Sequence, residues 1–123
     1  MSWRAEAGRI AAEARGRHGE ALACQWLREQ GFEILAQRVK TPRGEVDIIA
    51  RQADLVVFAE VKWRARAADL DLAIDEARLA RVARAAELLA PRYLKAQDAM
   101  RIDILLLAPG APLRHIANAW MPF

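Results

Sequence analysis

A single cysteine, Cys24, is all the chain has, so no internal disulfide is possible and a zinc site built of thiolates is excluded. A reducing, cytoplasmic setting is expected. Histidine is scarce too. His18 and His115 are isolated, show no ligand spacing, and read as surface residues. No apolar run approaches the length of a membrane span, so no membrane partner is expected. The N-terminus carries Arg4, Arg9, Arg15 and Arg17 but no apolar signal core, and Glu6 and Glu13 interrupt it in a way a transit peptide avoids. Lysine occurs only at Lys40, Lys62 and Lys95, so the positive charge is mostly arginine. The net charge of +3 permits a nucleic-acid partner without demanding one.

What is present is an ordinary globular composition. With 54% hydrophobic and 28% charged residues over 123 positions, and no repeat or low-complexity linker, residues 1–123 read as one domain, with residues 1–10 loosely ordered. A helix is expected from about Ala11 to Gln30, with Ala23, Trp26 and Leu27 on its apolar stripe and Gly31 at its C-terminal cap. Phe32 to Arg38 reads as a short strand, and Thr41-Pro42-Arg43-Gly44 as a turn. Glu45 to Ile49 and Leu55 to Lys62 read as a β-hairpin. A second helix starts near Asp71 or Asp75, buries Leu79, Val82, Ala83, Ala86, Leu89 and Ala90, and is ended or kinked by Pro91. Arg101 to Leu107 and Leu113 to Ala119 supply two more strands. The order α-β-β-β-α-β-β predicts an α/β fold, a mixed five-stranded sheet flanked by helices.

The hairpin concentrates the chemistry. With Ala53 and Asp54 at the tip of a tight turn, counting back places Asp47 across from Glu60 and Glu45 across from Lys62. Strand alternation keeps Glu45 with Asp47 on one face, and Glu60 with Lys62. Opposed Cβ atoms lie roughly 4.5–5.5 Å apart, so three carboxylates and an ammonium converge. Two opposed carboxylates repel unless one gains a proton or both share a cation. Mg2+, or Mn2+ in its place, suits such oxygen ligands. An ammonium two residues beyond Glu60 could stabilise a phosphorane-like transition state or orient the attacking water. Glu20 lies on the stripe of the first helix with Ala23, Cys24 and Leu27, where an acid is partly buried unless it faces a partner such as this cluster. The plainer alternative for the hairpin is a solvated face with cross-strand salt bridges, Glu45 to Lys62 among them. For Glu20 it is pairing with Arg17 or Arg28.

Asp47 followed at twelve intervening residues by Glu60-Val61-Lys62 resembles the PD-(D/E)xK nuclease signature. The surrounding text is more specific. Gly19-Glu20-Ala21-Leu22-Ala23, Gly31-Phe32-Glu33-Ile34-Leu35, Gly44-Glu45-Val46-Asp47-Ile48-Ile49-Ala50, Val57 through Arg64 and Arg101-Ile102-Asp103 occur in that order. Together they closely resemble the YraN family of bacterial proteins, which implies a restriction-endonuclease-like fold and metal-dependent DNA endonuclease activity, with branched or structured DNA as a substrate class. By that resemblance Asp47 and Glu60 are metal ligands and Lys62 is the catalytic lysine. Glu20 matches the helical glutamate of related Holliday-junction resolvases. Val46 stands where the signature has proline, and Arg78 where the family often has lysine. The alternative on the same fold is a non-catalytic nucleic-acid-binding module.

Arg78, Arg81 and Arg84 read as a solvated helix face paired to Glu76 and Glu87. The competing reading is a phosphate-contacting set that includes Arg43, Arg64, Arg78 and Arg81. Trp3, Trp26, Trp63 and Trp120 could stack on bases, though Trp26 and Trp63 read as packing. Arg101 and Asp103 read as a structural ion pair. A domain of this size would need a homodimer to span a duplex.

Overall fold

The computed structural model describes residues 3–70 and 75–120; Asp71 and the Trp3 side chain lie outside what it describes. Helix α1 spans Trp3–Glu29 and β1 spans Glu33–Thr41. Strands β2 (Gly44–Gln52) and β3 (Leu55–Trp63) follow. After a 3-10 turn at Ala67–Asp69 come α2 (Glu76–Tyr93), β4 (Ala99–Leu107) and β5 (Arg114–Ile116). The sheet order is β1-β2-β3-β4-β5. All neighbours are antiparallel except β3 and β4, which run parallel across the α2 crossover. This is the mixed five-stranded α/β architecture expected of the restriction-endonuclease-like fold.

Each helix covers one face. Ile48, Ala50, Val57, Ala59, Leu105 and Leu107 pack beneath Ala23, Cys24 and Leu27 of α1. Ile49, Val56, Phe58, Ile102, Ile104 and Leu106 pack beneath Leu79, Val82, Ala83, Ala86 and Leu89 of α2. β3, in the middle, is buried along most of its length.

α1 begins well before Ala11, but residues 5–18 are all exposed, so tertiary packing holds only its second half. It ends in a Schellman arrangement. The Phe32 N–H donates to Leu27 O at 2.9 Å and the Gly31 N–H to Arg28 O at 3.0 Å. Gly31 sits at φ +94°, where a side chain would be strained. Asp75 opens α2, its carboxylate accepting from the Ala77 and Arg78 N–H groups. Pro91 lies in the last turn, and the helix stops two residues beyond it at Tyr93.

β5 is shorter than the expected Leu113–Ala119, and a buried polar knot fixes it. Asp103 is fully buried and accepts two hydrogen bonds from Arg101, both at 2.8 Å. It also accepts the Asn118 N–H at 2.9 Å and lies 2.6 Å from His115 Nε2. Burial alone would raise this carboxyl, but Arg101, the Asn118 amide and His115 together hold it below the ordinary value. The Arg101–Asp103 pair is as expected. His115 is not isolated: it sits on Asp103 and meets the Trp26 ring edge-on at 5.2 Å. Asp103→Ala should destabilise the fold by about 3 kcal/mol, because it strands the donors around a buried site. Chemical denaturation would show this as a lower midpoint, and a change below about 1 kcal/mol would refute the structural role.

Candidate active site

The β2–β3 register follows the expected count, running from Gln52 with Leu55 at the turn to Ile48 with Ala59. In a two-residue hairpin every second pair exchanges hydrogen bonds, so Val46 with Val61 would be next. The ladder stops short of it. The Val61 N–H donates instead to Asp47 Oδ2 at 2.8 Å. The Asp47 side chain thus takes the place of a backbone carbonyl where the strands part.

β1, which carries a register shift between Ile34 and Ala36, is irregular at this level as well, though its register does not change. Its pairing with β2 runs from Gln37–Ile48 to Val39–Val46 and skips Arg38 with Asp47. Arg38 has φ +52°, a left-handed conformation uncommon for residues with a Cβ. Side-chain facing changes phase here. Ile48 and Ala50 face α1, yet Val46, an even step away, packs with the α2 cluster. The two kinks lift Asp47 out of regular pleating.

Asp47 and Glu60 are both buried, at 9% and 2% exposure. Burial first, and the charge of neighbouring Glu60 second, push the Asp47 carboxyl up to about 7; the Val61 amide opposes them. Glu60 Oε1 accepts from Arg78 Nε at 2.5 Å and lies 3.2 Å from Lys62 Nζ. Its other oxygen, Oε2, is buried with no hydrogen-bond partner among the described residues. An orphaned buried carboxylate oxygen is costly. Beside a second carboxylate that burial drives toward protonation, it fits a divalent cation held by Asp47 and Glu60. Magnesium is commonly held by one or two carboxylates, with waters and substrate phosphates completing its shell.

Several expected members stand elsewhere. Lys62 pairs with Glu60, not with Glu45, which is exposed opposite Lys40 on β1. The parting of β2 from β3 removes the register on which a Glu45–Lys62 pair depended. Glu20 pairs with neither Arg17 nor Arg28; it accepts from Arg38 Nε at 2.6 Å. Its charge still reaches Asp47. Among the described residues no three carboxylates, histidines or cysteines converge closely enough to hold a metal, so Asp47 and Glu60 form the nucleus and Glu20 stands aside from it.

Arg78 does not pair along its own helix but reaches across to Glu60. Arg81, one turn on, is exposed and abuts the β1–β2 turn, where a Cβ on Gly44 would come within 3.4 Å of the Arg81 carbonyl. Arg43 is exposed in that turn. Arg64 is half-buried and folds back on the Trp63 carbonyl at 2.9 Å. Trp63 packs against Gly19 of α1, and Arg15 lies over its ring at 5.6 Å. Trp26 and Trp120 are half-buried against the two cores.

Sequence reasoning passed over Arg38. No pattern in the sequence signals it. An open concavity of about 340 Å³ lies around it, lined by Glu13, Arg17, Glu20, Lys40 and Glu45.

Residues 19–107 match the model of a protein family described as "Uncharacterised protein family UPF0102". The matched span contains both kinks and every residue of the acidic site. A UPF0102 protein of Erythrobacter litoralis is 60% identical over 111 residues, covering 90% of this chain and 96% of that relative. One from Sphingopyxis alaskensis is 57% identical over 114 residues, covering 93% and 98%. One from Maricaulis maris is 40% identical over 112 residues, covering 90% and 88%.

Proposed function

The chain belongs to the UPF0102 (YraN) family, and on that footing we propose that it is a divalent-metal-dependent endonuclease hydrolysing DNA phosphodiester bonds. The observation that carries this reading is the buried Oε2 of Glu60, which has no hydrogen-bond donor among the described residues and lies beside an Asp47 carboxyl close enough to share a proton or a cation with Glu60. Two adjacent carboxylates with an orphaned oxygen, and an ammonium 3.2 Å away, form a set that gains by sharing a cation and an anionic substrate.

Asp47 and Glu60 would hold the ion, Mg2+ or Mn2+. When bound, such an ion polarises a phosphoryl oxygen and lowers the pKa of attacking water. Lys62, two residues from Glu60 on the rigid central strand, places its ammonium where charge develops on the phosphorus oxygens. Arg78 holds Glu60 Oε1, which leaves Oε2 as the oxygen available to an ion. Arg43 and Arg81, exposed together where the β1–β2 turn meets α2, suit contacts to a DNA backbone.

The second reading, a nucleic-acid-binding module without cleavage, is favoured by the absence of a three-ligand cluster among the described residues. One experiment separates the two. Linear, nicked, branched and single-stranded DNA are incubated with the protein and Mg2+ or Mn2+, with Glu60→Ala as control and a metal-free gel shift alongside. Cleavage that needs the divalent ion and disappears in Glu60→Ala is the expected result. Tight, salt-sensitive binding with every substrate left intact would replace the first reading with the second.

A further inference from the structure

Arg38 joins three unusual features. Its backbone is left-handed inside a strand, its skipped ladder partner is Asp47, and its guanidinium holds Glu20, the acid that stands aside from the Asp47–Glu60 pair. The pair is lopsided. Glu20 is mostly covered, with 15% of its side chain exposed, whereas Arg38 is 42% exposed at the mouth of the concavity. The charges of Glu20, Glu45 and Asp47 all act on the guanidinium, which touches Glu20 alone. A solvent-facing cation beside the covered carboxylates of Glu20 and Asp47 is placed to meet an incoming anion.

Resting on the nuclease reading above, we propose that Arg38 is an exchange residue. In the free protein its guanidinium withholds Glu20 from the cation site. When nucleic acid arrives, the guanidinium passes to a backbone phosphate, and Glu20 is released toward Asp47 and Glu60. Both partners on offer to Arg38 are oxyanions that it can bind through charge-assisted hydrogen bonds, so the exchange trades like for like. The left-handed backbone serves this role by letting β1 kink where Asp47 must leave the ladder, which brings one residue to bear on two acids.

The exchange predicts opposite changes in two affinities. Arg38→Gly keeps the left-handed backbone without strain and removes the guanidinium; Arg38→Asn, which also tolerates positive φ, is the second variant. Thermal melts should stay within a few degrees of the parent's, the relief of positive φ offsetting part of the lost ion pair. Without DNA, Mn2+ affinity, measured by calorimetry, should rise at least about fivefold, because Glu20 is freed and a positive charge is gone. Kd for a labelled DNA duplex, measured by anisotropy with Mn2+ on a Lys62→Ala background that slows cleavage beyond the time of the titration, should rise about tenfold relative to Lys62→Ala alone. Arg38→Lys, which keeps the charge, should restore part of the DNA affinity. A residue that merely braces the fold would lower both affinities together. That outcome, or no change in either, overturns the exchange. Asp47→Asn and Glu60→Gln serve as controls: if they bind Mn2+ as the parent does, the cation reading itself fails, and the exchange with it.

Discussion

Replacing Lys62 with alanine is expected to cut DNA cleavage by about a hundredfold to a thousandfold while leaving Mn2+ binding no weaker than the parent's and Tm near the parental value. The reason is how Glu60 is held. Its Oε1 is shared by two cations, with Arg78 at 2.5 Å and Lys62 at 3.2 Å. Loss of the lysine leaves the shorter, hydrogen-bonded contact in place, so Glu60 keeps its orientation and its free Oε2. What disappears is an ammonium aimed at developing negative charge. Glu60→Gln should behave differently and lose both cation binding and cleavage, since an amide is a poor ligand for a hard ion. Calorimetry with Mn2+ and a plasmid-nicking assay on both variants would check this. A Lys62→Ala protein that cleaves at the parental rate would remove the lysine from the chemistry.

Asp47→Asn is expected to make the cation-free protein more stable at pH 8 than the parent and to flatten the fall in stability between pH 5 and 8. The Asp47 carboxyl is raised from an ordinary 3.8 to about 7 by burial and by Glu60. For an acid whose folded pKa lies above its unfolded one, the stabilising contribution is complete below the unfolded value. It is lost as pH rises through the folded value. The parent should therefore weaken steadily from about pH 4 to above pH 7, by up to on the order of 4 kcal/mol. That is a large share of the stability of a domain this small. Asparagine cannot ionise, and its side-chain oxygen can still accept the Val61 N–H. Divalent ions should recover the parent's stability at pH 8 and do little at pH 5, where the carboxyl must first lose its proton. Denaturation midpoints across this range, for both proteins with and without Mg2+, give the comparison. Parallel pH profiles for parent and variant would defeat it.

Both predictions concern residues that local patterns reveal. Asp47, Glu60 and Lys62 are legible because a two-residue turn fixes register and because strand alternation is strict where one face is buried. The same logic recovers the buried face of α2 and the Gly31 cap. It fails where the strand stops being regular. Nothing in a period-two pattern announces that Arg38 takes a positive φ or that Asp47 replaces a carbonyl, so the Glu45–Lys62 pairing was inferred from a ladder that had already ended. Long-range ion pairs escape for a different reason. Arg78 to Glu60, Arg38 to Glu20 and His115 to Asp103 join elements brought together only by tertiary packing. For Glu20 and Arg78 helical spacing suggests nearer partners, and packing overrules it.

The bond from the Val61 amide to Asp47 gives the site a spectroscopic reporter. An amide proton that rests on a carboxylate oxygen rather than a carbonyl resonates according to the charge on that carboxylate. One cross-peak in a ¹H–¹⁵N spectrum should therefore follow protonation at Asp47, and the arrival of a cation there, without any label being introduced.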